Sequence, residues 1–140
     1  MTRIDFYIME AAEAQAERFA AKLALDAFRQ RKQVHIHSSD EPAKETLSEL
    51  LWRFSQSSFM AHGEESADAI SLGYGEHVPD CHDQLIVLSN KIPPCFSRFE
   101  QLSVVVPQAE AAKALARDQY RYFKQRGYPL NFKAVKHSNF

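Results

Sequence analysis

Apolar and polar positions change their period several times along this chain, and each change marks an element. Ile4–Met9 is β-branched and aromatic after a short polar start, which predicts a strand. From Ala11 to Gln33 the composition turns to Ala, Glu, Lys, Arg, Gln and Leu, all good helix formers. Ala16, Phe19, Ala20, Leu23 and Ala27 recur there at three- and four-residue steps, the spacing of a core-facing stripe. Val34–His37 alternates as a short strand. Ser38-Ser39-Asp40-Glu41-Pro42 then supplies capping residues and a first-turn proline for a second helix. That helix runs to about Phe54, with Leu47, Leu50 and Leu51 inward.

Residues 55–83 are the least regular, with a strand expected over Ala69–Leu72 and a loop over 73–83. Gln84–Leu88 and Leu102–Val106 are continuously apolar strands, separated by Pro93-Pro94 and a short helical turn at Phe96–Phe99. A last helix runs from about Gln108 to Gln125 and stops at Gly127, a natural left-handed cap. Strands alternate with helices, and the inner strands are apolar throughout. This predicts a three-layer α/β fold with a mostly parallel central sheet covered on both faces.

Length and composition narrow the class. The 140 residues suit a single domain covering 1–140, large enough to bury roughly two-thirds of its unfolded surface. Apolar residues at 45% and charged residues at 25% exclude wholesale disorder. No apolar run approaches the roughly 18–20 residues that span a bilayer, so no membrane association is expected. The first residues lack the pattern of a secretory signal. Two cysteines, Cys81 and Cys95, are too few for a disulfide scaffold, and a cytoplasmic location is expected.

The net charge of −1 conceals a division. Residues 1–107 carry 10 Lys and Arg against 16 Asp and Glu; residues 108–140 carry 7 against 2. An acidic body therefore bears a basic block of net +5. On a helical projection Lys113, Arg117, Tyr120, Arg121 and Lys124 fall within a sector about 100° wide. Ala112, Leu115, Ala116, Gln119, Tyr122 and Phe123 occupy the opposite side and are expected to face the sheet. Four cations around one tyrosine suit a carboxylate or phosphate. The acidic remainder repels a long polyanion and favours a short acidic ligand.

Other chemistries find less support. There is no glycine-rich phosphate loop; Gly73-Tyr74-Gly75 is followed by Val78 where a dinucleotide fingerprint needs glycine. His77, Cys81, His82 and Cys95 cluster loosely in sequence without metal-ligand spacing. No nucleophile elbow is present. No cofactor and no catalytic site are expected. The rivals are a nucleotide- or metal-dependent enzyme using the 73–95 loop, or a direct single-stranded DNA binder. Trp52, Phe54, Phe59 and Met60 follow the second helix, as core or as an anchor for a peptide.

The chain resembles a known family, the chi subunit of bacterial DNA polymerase III holoenzyme. The match rests on Asp5-Phe6-Tyr7, on Glu49-Leu50-Leu51-Trp52 with Ser58-Phe59 and His62, on Pro107, and on Arg117-x-x-Tyr120-Arg121 followed by Gly127-Tyr128-Pro129-Leu130. Met60-Ala61 departs from the family's aliphatic residue and proline before the histidine, and residues 63–83 show no family pattern. The resemblance implies a Rossmann-like fold without nucleotide chemistry, in an accessory subunit of the clamp loader. It implies two partners: the psi subunit, and single-stranded-DNA-binding protein, whose acidic C-terminal tail ends in Phe. DNA is then met mainly through that protein. The tail site implied comprises Lys113, Arg117, Tyr120 and Arg121, with Val106 and the Trp52 and Phe59 region on its apolar side; Lys124 joins it from the helical projection. The surface for psi is expected as an exposed apolar patch away from the basic helix.

Overall fold

A computed structural model describes residues 2–10, 13–54, 62–63, 70–74, 82–88 and 91–135. The elements, in chain order, are β1 (Arg3–Met9), α1 (Glu13–Arg29), β2 (Val34–Ser38), α2 (Glu41–Phe54), β3 (His62–Gly63), β4 (Ile70–Tyr74) and β5 (Gln84–Val87). A 3-10 helix (Pro94–Arg98), β6 (Gln101–Val106), α3 (Glu110–Gln125) and β7 (Leu130–Val135) follow. The strands form one sheet in the order β3-β4-β2-β5-β6-β1-β7, with every pairing parallel. The expected three-layer α/β architecture is what the chain adopts. Among the described residues, no helix is long and apolar enough to cross a membrane.

Side-chain alternation along the strands separates two apolar clusters. Met9, Val34, Ile36, Ile70, Leu72, Ile86 and Val105 point to one face, where Ala16, Ala20, Ala21, Ala24 and Ala27 of α1 and Leu47 and Leu51 of α2 cover them. The small alanine side chains let α1 sit close to the sheet. Ile4, Phe6, Leu85, Val87, Leu102, Val104 and Val106 point to the other face, beneath Ala116 and Phe123 of α3 and the 3-10 helix. The crossovers obey one hand. The α1 and α2 connections move toward the β3 edge over the first face; the α3 connection moves toward the β7 edge over the second.

Helices α1 and α3 close with the same paired bonds. After α3, the Gly127 N–H donates to Lys124 C=O (3.1 Å) and Tyr128 N–H to Phe123 C=O (3.2 Å), with Gly127 at φ +80°. This is the Schellman pattern that glycine favours. After α1, Arg31 N–H donates to Phe28 C=O (2.9 Å) and Lys32 N–H to Ala27 C=O (3.0 Å), but the left-handed residue is Arg31, at φ 63°. The helix therefore stops at Arg29, short of the Gln33 that composition alone suggests. At the start of α2, Asp40 Oδ1 accepts from Ala43 N–H (3.0 Å), the cap expected from the sequence.

The sequence reading missed β7. Leu130–Val135 pairs in parallel with β1, so the last described strand lies beside the first. Asp5 fixes that register: Gln101 Nε2 donates to its Oδ2 (2.9 Å) and Asn131 Nδ2 to its Oδ1 (3.0 Å). One buried carboxylate thus ties β6, β1 and β7 together. The strand expected at Ala69–Leu72 is displaced slightly, to Ile70–Tyr74. Gly73 lies within β4 rather than opening a helix, which removes the remaining likeness to a dinucleotide loop.

Candidate functional site

Helix α3 carries the cations where the projection placed them, but its buried side is rotated. Ala116 and Phe123 are its buried residues. Tyr122, expected to face the sheet, is 47% exposed, and the Arg126 guanidinium lies 4.1 Å above its ring. Tyr120, expected among the cations, is half-buried instead. Its ring meets Phe6 of β1 at 5.9 Å and Phe132 of β7 at 6.0 Å. Docking against β6 and β7 turns the helix so that Tyr120 bridges core and surface.

Phe132 is the functional-site candidate that sequence reasoning overlooked. It stacks at 6.4 Å on the fully buried Phe6, yet remains 58% exposed. Phe6, Tyr120 and Phe132 form a continuous aromatic step from the core to solvent. Leu130, Phe132 and Ala134 alternate with Asn131 and Lys133, and that period of two was the available signal.

Arg117, Arg121 and Lys124 are exposed beside this step, and Lys113 is half-buried. Arg121 lies 3.7 Å from Asp118 in a largely exposed i,i+3 contact, which contributes little. Lys113, Arg117 and Lys124 make no ion pair among the described residues. Their charge is therefore not neutralised within the helix. Lys133, on the other face of β7, places its ammonium 5.4 Å from the Tyr7 ring. An exposed aromatic ring beside unneutralised cations can take a ligand that joins a carboxylate to an apolar side chain.

Two residues expected at this site, Val106 and Trp52, are not brought to it. Val106 is 3% exposed, because β6 is an inner strand roofed by α3. It packs in the cluster that supports Tyr120 and offers no surface to a ligand. Trp52 is 64% exposed, but it sits on α2, in the layer on the opposite side of the sheet from α3. Its proximity to the basic helix, suggested by resemblance, is not what the layers give. Phe59 lies outside the described residues, as do His77 and Cys81. His82 is exposed, whereas Cys95 is half-buried in the 3-10 helix against the aromatic cluster. Burial raises the Cys95 thiol above its ordinary pKa, with Arg98 opposing more weakly. That environment disfavours a thiolate nucleophile.

These features define a doubly wound α/β domain that bears a cationic and aromatic surface on its last helix and strand. A family model described as DNA polymerase III chi subunit matches residues 1–131. DNA polymerase III subunit chi of Pseudomonas aeruginosa is 37% identical over 134 residues, covering 93% of this chain and 94% of that protein. The Haemophilus influenzae subunit chi is 29% identical over 94% of this chain and 96% of its own length. The Escherichia coli subunit chi is 26% identical over 82% of each. The chain belongs to the DNA polymerase III chi subunit family, and so is a subunit of that polymerase.

Proposed function

We propose that this subunit links the clamp loader, through psi, to single-stranded-DNA-binding protein by holding the latter's acidic C-terminal tail. The observation that carries this is the placement of Tyr120 and Phe132 beside the unneutralised Lys113, Arg117 and Lys124. Arg117 clamps the terminal carboxylate; Lys113, Arg121 and Lys124 attract the acidic residues behind it. The terminal phenyl ring lies against Tyr120 and Phe132. The exposed cations contribute little each and are screened by salt, so affinity is about micromolar and falls with ionic strength.

The exposed indole of Trp52 is the candidate anchor for psi. Tryptophan is enriched where partners dock, and the opposite layer leaves both partners room to bind together. One sheet reaching from Arg3 to Val135 supports a single domain. The subunit acts in the cytoplasm, without a catalytic site or cofactor of its own, and meets DNA mainly through its partner.

Fluorescence anisotropy with an acidic peptide ending in Phe tests the tail site. Binding that is lost on deleting that Phe, and weakened by Arg117→Ala, is expected. Equal binding by the shortened peptide, or tight binding of naked oligonucleotide with none of the peptide, would sink the proposal.

A further inference from the structure

Strand β7 is the outermost strand on its side of the sheet, with its only described partner β1. Ile4 N–H donates to Pro129 C=O (3.0 Å) and Glu10 N–H to Val135 C=O (2.9 Å). The odd-numbered residues of β7 therefore direct their backbone groups at β1. A residue's N–H and C=O point to the same side of a strand, so Leu130, Phe132 and Ala134 present theirs outward. None of these three has a backbone partner among the described residues.

Such an edge is normally blunted by proline, a bulge or inward charge. Leu130–Val135 holds no proline and no bulge, its register with β1 is unbroken over six residues, and its one charge, Lys133, places its ammonium 5.4 Å from the Tyr7 ring of β1. The outward groups lie next to the exposed ring of Phe132, with the α3 cations on one face and Lys133 on the other. Positive charge on both sides favours an acidic strand and disfavours a second copy, whose own cations would be brought against these.

We propose that an extended acidic peptide pairs with β7 as an eighth strand, its backbone bonded to the outward groups of Phe132 and Ala134. This rests on the tail-binding function above and specifies its geometry: main-chain pairing supplies the alignment, and the cations supply the sign. The side chains that alternate onto the α3 side lie over Phe132 and beside Arg117 and Lys124.

Amide exchange followed by NMR on the full chain, with and without an acidic peptide ending in Phe, tests the pairing. Saturation is expected to slow exchange at Phe132 and Ala134 by about tenfold or more. Lys133 and Val135, already bonded to β1, should not change. Peptides N-methylated at alternate residues should lose about tenfold in affinity in one register and little in the other. Binding without protection at Phe132 and Ala134 overturns the eighth strand and leaves tail capture standing. No binding overturns both. Protection of these amides in the free chain, whether by residues 136–140 or by a second copy seen in sedimentation, also overturns the proposal.

Discussion

Replacing Phe132 by Ala separates the fold from the site, because the ring serves each with a different part of its surface. About two-fifths of the residue is covered within the chain, by Phe6 and Tyr120. Full burial of a Phe side chain contributes roughly 2–3 kcal/mol, so Phe132→Ala should cost about 1 kcal/mol of folding stability. For a chain of this length that lowers Tm by about 3 °C. The remaining three-fifths is available to a ligand. Covering it is worth about 1.5 kcal/mol, so the variant should bind the acidic peptide roughly tenfold more weakly. Phe132→Leu retains apolar area without the ring and should recover most of the Tm while binding at an intermediate level. The assays are differential scanning calorimetry and fluorescence anisotropy on the same preparations. If Tm falls as calculated but the dissociation constant stays within about twofold, Phe132 is not part of the site.

Arg31→Gly should stabilise the chain by about 1 kcal/mol, because the left-handed backbone at φ 63° disfavours a side chain; an unchanged or lower midpoint in urea refutes this. Trp52→Ala should leave the acidic-peptide affinity unchanged, since α2 and α3 lie on opposite layers, while weakening capture of psi about tenfold or more in a binding titration. In a Cys81→Ser background, Cys95 should react slowly with iodoacetamide at pH 7, because burial raises its pKa and depletes the thiolate; the rate should climb only above the ordinary thiol range. Asp5→Ala removes the acceptor shared by Gln101 and Asn131, which should cost about 1–2 kcal/mol and raise amide exchange selectively in β7.

The layers were legible from the chain itself because the inner strands are continuously apolar and the helices carry single stripes. Gly127 announced the end of α3 for a reason local to that turn. Strand β7 is hard to read from the chain because its alternation is short and most of its residues are exposed, so no buried apolar run marks it. The orientation of Tyr120 and Tyr122 depends on where β7 docks, a fact stored 8–15 residues further along the chain. The placement of Trp52 in the layer opposite α3 was illegible for another reason. Which side of the sheet a helix covers follows from handedness only once the strand order is known, and that order is a long-range property. His35 shows the same limit: its Nδ1 lies 2.7 Å from Ser71 Oγ in the neighbouring strand, a pairing no local pattern announces. By contrast Asp5-Phe6-Tyr7, legible as part of the first strand and as a point of resemblance, has three separate duties. Asp5 ties three strands, Phe6 floors the aromatic step, and Tyr7 packs at 5.1 Å on Phe19 of α1.

The bond from Asn131 to Asp5 joins residues 126 positions apart. Phe6 and Phe132 come together only when that junction forms. A nascent chain that has not yet emitted Leu130 already possesses the whole cationic stripe, but not the ring that accompanies it. On the proposed tail site, competence to hold a partner requires the first and last described strands to be joined. At that site, a copy lacking the junction of β1 and β7 attracts acidic peptides weakly and releases them. Peptide binding would then report on that junction: a substitution that loosens β7 from β1 weakens the proposed site while the rest of the sheet stays paired.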